Sequence, residues 1–269
     1  MRSPIAPLHE APSPSSQQIS QRLAGHRVHV LDAGGGGKAA GWLSVRGDDG
    51  YAGWMHRGYL AIADDGSVIE QPGARTRMSL GCVTRDGSGN VRRLPLAALL
   101  APDEVVACDP DVAPGRSIGS AATVLELTLR HRIFAVDAAG IARTSRERFA
   151  GAPYQWGGVT PWGADCSGLV QTVYWLHGIN LPRDAWQQAA AGDEVGMDIG
   201  DLRPADLLFF SDREDAAITH VGIALGDHRM VHSALGRGGF RSENLAAASD
   251  PYVARLRERF RGARRLVGR

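Results

Sequence analysis

Three residues in this chain have the types that nucleophilic catalysis needs, and they lie far apart in order: Cys166, His220 and His232. Cys166 stands between Asp165 and Ser167 in GADCSGLVQ, where a stretch rich in glycine and tryptophan gives way to an apolar run. Only a thiolate attacks well, and a free thiol is mostly protonated at neutral pH. A helix N-terminus presents unpaired N–H groups and roughly half a positive elementary charge. That position, with an imidazolium nearby, lowers a thiol pKa to ~3.5–7.5. The thiol still needs a base, and the base needs an orienting group. His220 opens the run HVGIAL and His232 lies in MVHSA, with a short turn expected around Gly226–Asp227. Antiparallel pairing across such a turn brings the two histidines together. The chemistry expected of the three is acyl transfer: Cys166 attacks, His220 takes and returns the proton, and His232 fixes the tautomer of the base.

The elements that must position these groups are legible around them. From Cys166 to His177, Leu169, Val170, Val173 and Leu176 recur at helical spacing, and Gly178 follows as a cap. IARTSRERFAGA predicts an earlier helix with a solvent-facing Arg/Glu side, stopped at Gly151–Pro153. DLLFFS (206–211), HVGIAL (220–225) and RMVHSA (229–234) read as consecutive strands. Helices first and an antiparallel sheet afterwards predict an α+β domain over 139–269.

Upstream the texture is that of short strands and turns. GHRVHVLD, GWLSV, GYAGW and GYL predict a small β-barrel over 1–69, with the opening APLHEAPSPSSQQISQRLAG as its first strand and long loop. GGGG at 34–37 is followed by no GK[ST] and is expected to be a barrel loop, not a phosphate cradle. Residues 70–138 (ARTRMSLGCVTRD, VRRLPLAALLAPDEVVA, ATVLELTLRHRIF) are again strand-like but lack the tryptophans. They predict either a second, divergent barrel or a long β insertion packed on the first.

Composition excludes several classes of function. The 269 residues are 43% hydrophobic and 22% charged with a net charge of +1, so neither nucleic acid nor an anionic membrane is expected as a partner. No stretch approaches the ~20 consecutive apolar residues of a membrane helix. MRSPIAPLHEAPSPSSQQ has no apolar core of the secretory kind, which predicts a cytoplasmic protein. Cys82, Cys108 and Cys166 make an odd count without CxxC spacing, arguing against a disulfide framework and a structural zinc site. His228 and His232 are four apart, but His228 falls in the turn and no HExxH is present. No metal or organic cofactor is expected.

GAPYQWGG, GADCSGLVQ, LPRDAWQQ, ADLLFF, THVGIALGD and MVHSA, in that order, resemble the NlpC-type cysteine peptidases of the papain-like superfamily, from about Ala142 to Val267. With GWLSV, GYAGW and GYL upstream, which resemble a bacterial Src-homology-3-type domain, the chain is similar to γ-D-glutamyl-L-diamino acid endopeptidases. The resemblance implies a substrate, peptidoglycan-derived peptide of the L-Ala-γ-D-Glu-diamino acid kind, cut during murein recycling. It implies that Tyr154 lines the site near the oxyanion with Trp156 beside it, and that Asp165 and Ser167 hold the free L-alanine amine. Arg183 and Asp184 match the family's LPR-D element, whose usual following serine is Ala185 here. The resemblance also implies that GARRLV near the C-terminus is the closing strand. A secreted hydrolase of intact wall and a non-enzymatic wall-binding module are the rival readings.

Overall fold

Alternating apolar and polar residues make strands the dominant element of the first half of the chain. A computed structural model describes residues 1–32, 40–61, 76–107, 123–247 and 249–268. The GGGG segment, Cys108 and the 69/70 boundary lie outside the described residues. The described chain divides into two units, Met1–Arg130 and His131–Arg269, so both β-rich segments read from the sequence belong mainly to the first.

In the first unit, β1 (Ile5–His9), β2 (Gln18–Leu23), β3 (Val28–Asp32), β4 (Trp42–Gly47) and β5 (Ala52–His56) form one sheet in the order β2-β1-β5-β4-β3. Every pairing in it is antiparallel. The sequence expectation of a strand and a long loop at the N-terminus is corrected here. QISQRL is itself a strand, hydrogen-bonded along β1; three polar residues in a row separate Ile19 from Leu23, so no two-residue period marks it in the sequence. Ala6, Leu8, Leu43, Val45, Met55 and Leu60 make the core of this sheet.

The next segment contains β6 (Arg77–Ser79), β7 (Cys82–Arg85), β8 (Val91–Leu94), β9 (Val105–Val106) and β10 (Val124–Glu126). They form a three-stranded sheet, β8-β7-β9, and a separate pair, β10-β6. ATVLELTLRHRIF is strand only at its start. After Glu126 the backbone tightens into a 3-10 turn that leads into α1 (Arg130–Ile133). Alternation of leucine with charged residues fits either period over so short a span.

The second unit continues with α2 (Ala138–Arg148), β11 (Val159–Thr160), β12 (Gly163–Ala164), α3 (Cys166–Leu176) and α4 (Ala185–Gln188). It ends with β13 (Asp193–Val195), β14 (Leu207–Phe210), β15 (His220–Gly226), β16 (Arg229–Ala234), β17 (Gly239–Asn244), α5 (Pro251–Glu258) and β18 (Phe260–Arg265). Six strands form one antiparallel sheet in the order β13-β18-β14-β15-β16-β17. The C-terminal strand expected from GARRLV begins earlier, at Phe260, and lies inside the sheet between β13 and β14.

The hairpin between β15 and β16 closes on the pair Gly226↔Arg229. Asp227 and His228 both have positive φ, 50° and 57°, which is the type I′ geometry that suits the twist of two strands. Leu208, Phe210, Ala224, Met230, Leu245, Leu256 and Phe260 pack together between sheet and α5. The long helix α3 is seated on β15 and β16, with Leu169, Val170, Val173 and Leu176 wholly buried. Burial of each such side chain contributes ~1.5–3 kcal/mol, so the helix that carries Cys166 is firmly held.

Candidate active site

Asp165 has extended backbone (φ −89°, ψ −179°), and its side chain accepts a hydrogen bond from the Gly168 N–H at 2.7 Å. It is the N-cap of α3, which makes Cys166 the first helical residue, as the spacing predicted. Gly168 must be glycine: a Cβ there would come within 2.1 Å of the Gly158 carbonyl oxygen. Two further bonds fix the approach to the thiol. The Thr172 hydroxyl donates to the Val159 carbonyl at 2.7 Å, and the Ser233 hydroxyl on β16 donates to the Ala164 carbonyl at 2.6 Å.

Cys166 is 9% exposed. Burial pushes its thiol up to about 12, with the Asp165 charge adding to the rise. The backbone N–H of Val221, Arg183 and the Ser167 N–H pull in the opposite direction. The Val221 contact sets the sulfur against β15 one residue after His220.

His220 starts β15, paired with Phe210 of β14. Its Nε2 lies 2.8 Å from Nδ1 of His232, which is wholly buried on β16. Burial, and the proximity of His232, push the His220 imidazole down to about 3. With Nε2 engaged by His232, Nδ1 is the ring nitrogen not used in that bond. The structure thus brings His220 and His232 into direct contact, and sets Cys166 against Val221, the residue that follows His220.

The other expected residues divide into two groups. Tyr154 is half-buried, and its phenol is pushed up by burial and by the Cys166 and Asp165 charges. Its backbone bridges to Ala164, just before the thiol. Trp156 is exposed, at 57%.

Asp165, Ser167 and Arg183 are all buried and bonded to one another. Arg183, 1% exposed, donates to both Asp165 oxygens at 3.1 and 2.6 Å and to the Ser167 hydroxyl at 2.8 Å. The Gly157 N–H donates to the same carboxylate at 2.8 Å. A carboxylate has about four lone-pair positions. Arg183 with Gly157 and Gly168 supplies four donors, so a substrate ammonium would have to displace one of them. Asp184 is the N-cap of α4, and its N–H donates to the Gln187 side chain at 3.1 Å. Ala185 is buried at the first position of that helix.

Glu243 on β17 is a residue that sequence reasoning did not find. Its Oε1 is 3.6 Å from Nε2 of His232, and it is bonded by Arg237. GFRSEN carries only one large apolar residue and reads as a loop, so nothing in the sequence marks its acid as part of a site.

Residues 151–257 match the NlpC/P60 family, and residues 6–61 match the bacterial SH3 domain. Residues 151–257 are an NlpC/P60 domain. Cys166, the first residue of α3, lies inside the matched segment. Within this domain the chain is 45% identical over 86 residues to a gamma-D-glutamyl-L-lysine dipeptidyl-peptidase of Bacillus subtilis (strain 168), an alignment covering 32% of this chain and 28% of that protein. A Bacillus cereus protein of the same name is 38% identical over 121 residues, covering 44% of this chain and 34% of the relative. The chain thus spans about a third of the length of the curated relatives it matches. A crystal structure of an NlpC/P60 family protein from Bacillus cereus shares the fold, with a TM-score of 0.75 and 21% identity, covering 100% of this chain and 99% of that one. The β-rich N-terminal region followed by an NlpC/P60 domain is the fold class expected from the sequence.

Proposed function

We propose that this NlpC/P60 protein hydrolyses the γ-D-glutamyl–diamino acid bond of peptidoglycan-derived peptides that begin with a free L-alanine, as a step of murein peptide recycling in the cytoplasm. The observation that carries the reading is the 2.8 Å bond between His220 and His232, with the Cys166 sulfur seated against the residue that follows His220. The names of the two Bacillus relatives support the bond type.

Burial disfavours both charged partners when each stands alone. The sulfur therefore becomes nucleophilic as its proton passes to His220 Nδ1 during attack. The attacked carbonyl carbon gains the sulfur, and its oxygen takes the negative charge. That oxyanion would meet the Cys166 backbone N–H, one of the unpaired donors of the α3 N-terminus, and the Tyr154 hydroxyl. Protonated His220 then gives its proton to the leaving amine of the diamino acid. Water, deprotonated by the same ring, adds to the thioester carbon; the carbon–sulfur bond breaks and the ring returns its proton to the leaving sulfur.

The test is incubation of L-Ala-γ-D-Glu-diaminopimelate, free and N-acetylated, with the wild type and Cys166→Ala. Cleavage confined to the free peptide and absent in the variant is expected. Activity retained by Cys166→Ala would overturn the mechanism. Equal cleavage of the two peptides would remove amine selection and leave the nucleophile standing.

A further inference from the structure

We infer that Glu243 is a positioning residue that fixes the tautomers of both imidazoles from behind His232, so that His220 meets the thiol as a base. This rests on the reading of Cys166 and His220 as nucleophile and base. β17 pairs along β16 with His232 opposite Arg241 and Met230 opposite Glu243. Glu243 is thus the diagonal neighbour of His232 on the same face of the sheet. Its Oε1 lies 3.6 Å from His232 Nε2, which has no hydrogen-bond partner among the described residues. Glu243 is itself only 6% exposed.

The surroundings hold the carboxylate in place and keep it ionised. Arg237 donates to Glu243 from Nε at 2.9 Å and from its terminal nitrogen at 3.3 Å. The same guanidinium donates to Asp250, the N-cap of α5, at 2.8 Å and lies 4.2 Å above the Tyr252 ring. Burial works to raise Glu243, yet its contacts with His232 and Arg237 win and hold it below the usual carboxylate range.

A neutral imidazole carries one N–H, so the two rings have two orders to choose from. In the first, His232 is protonated at Nδ1 and donates to His220 Nε2. Its own Nε2 lone pair then faces the carboxylate, acceptor against acceptor in a buried place, which is costly. His220 keeps its proton on Nδ1 and has no lone pair for the thiol. In the second order, His232 is protonated at Nε2 and points N–H at Glu243. His232 Nδ1 then accepts from His220 Nε2–H, and His220 Nδ1 presents its lone pair to Cys166. Only the second order can take the thiol proton, and an ionised Glu243 selects it. When His220 Nδ1 receives that proton, the ring becomes a cation, and the carboxylate one ring away offsets its charge.

The experiment uses the full chain and Glu243→Gln, which keeps the shape and can still accept from Arg237 but turns an amide N–H₂ toward His232. Two quantities are read: kcat and KM on L-Ala-γ-D-Glu-diaminopimelate, and the ring-nitrogen ¹⁵N resonances of His220 and His232. The wild type is expected to show His232 protonated at Nε2 and His220 at Nε2. Glu243→Gln is expected to invert that pattern and lower kcat about 10–100-fold, by analogy with the loss of a carboxylate that orients a metal-ligating histidine, with little change in KM. The opposite tautomers in the wild type would overturn the inference without recourse to any variant. So would full kcat in Glu243→Gln, or a fall in kcat with the ring pattern unchanged, which would mark a merely structural residue. Cys166→Ala run in the same assay separates this inference from the functional reading: if it stays active the reading fails, while the tautomers can still be read.

Discussion

Burial sets Cys166 and His220 each against its own charged form, and this has a measurable consequence. With the imidazole pushed down to about 3 and the thiol up to about 12, the uncharged pair is the resting form across the neutral range. The base is lost only when the imidazole protonates, so activity falls as pH drops through that lowered value. The acid limb of kcat/KM, which reports the free enzyme, is expected well below the ordinary histidine value of about 6.5. A limb at or above that value would contradict the burial argument. Arg183 makes a second test. Its guanidinium is buried against Asp165, and loss of one partner leaves the other charge uncompensated. Arg183→Met is expected to destabilise the protein by about 3–5 kcal/mol in denaturant unfolding. An unchanged midpoint would show that the pair has little net effect. The sequence named Cys166, His220 and His232 because nucleophile, base and orienter have distinctive residue types. It could not show that Asp165, Ser167 and Arg183 bond to one another, since an acid, a hydroxyl and a base look the same whether they face a ligand or each other.

The helix α3 delivers the nucleophile, and its seat depends on the absence of side chains. Gly168→Ala would drive a methyl group into the Gly158 carbonyl, a backbone atom that cannot swing aside. The expected outcome is a stability loss of at least about 1–3 kcal/mol together with a fall in kcat, because the first turn carrying Cys166 must lift. Wild-type melting and turnover in this variant would show that the loop at Gly158 yields. The helix and the β15–β16 hairpin were legible in sequence, the one from its apolar spacing and the other from GDH between two apolar runs. β17 and α5 were not. GFRSENLAAASDP mixes polar residues with few apolar ones, and its strand exists because β16 offers a full row of partners. With β17 unread, Glu243 stayed unread too.

At the scale of the whole molecule, the residues proposed for catalysis and the core beneath them lie within His131–Arg269. That unit holds a complete six-stranded sheet and the helices on it. Expressed alone, it is expected to unfold in a single cooperative transition by circular dichroism. A broad, non-cooperative melt would show that it depends on Met1–Arg130. The division into a β-rich first part and an α+β second part was plain from texture alone. The sequence was less informative over residues 70–138, where short strands are set by pairing rather than by pattern.

Strand β16 carries His232 and Ser233 side by side, and their side chains leave on opposite faces. One holds the base and the other grips the carbonyl two positions ahead of Cys166. A single piece of backbone therefore acts as a common ruler for both halves of the reaction centre. Heating that loosens this strand should extinguish turnover in step with the loss of amide protection along it, with no window in which the enzyme is merely slowed.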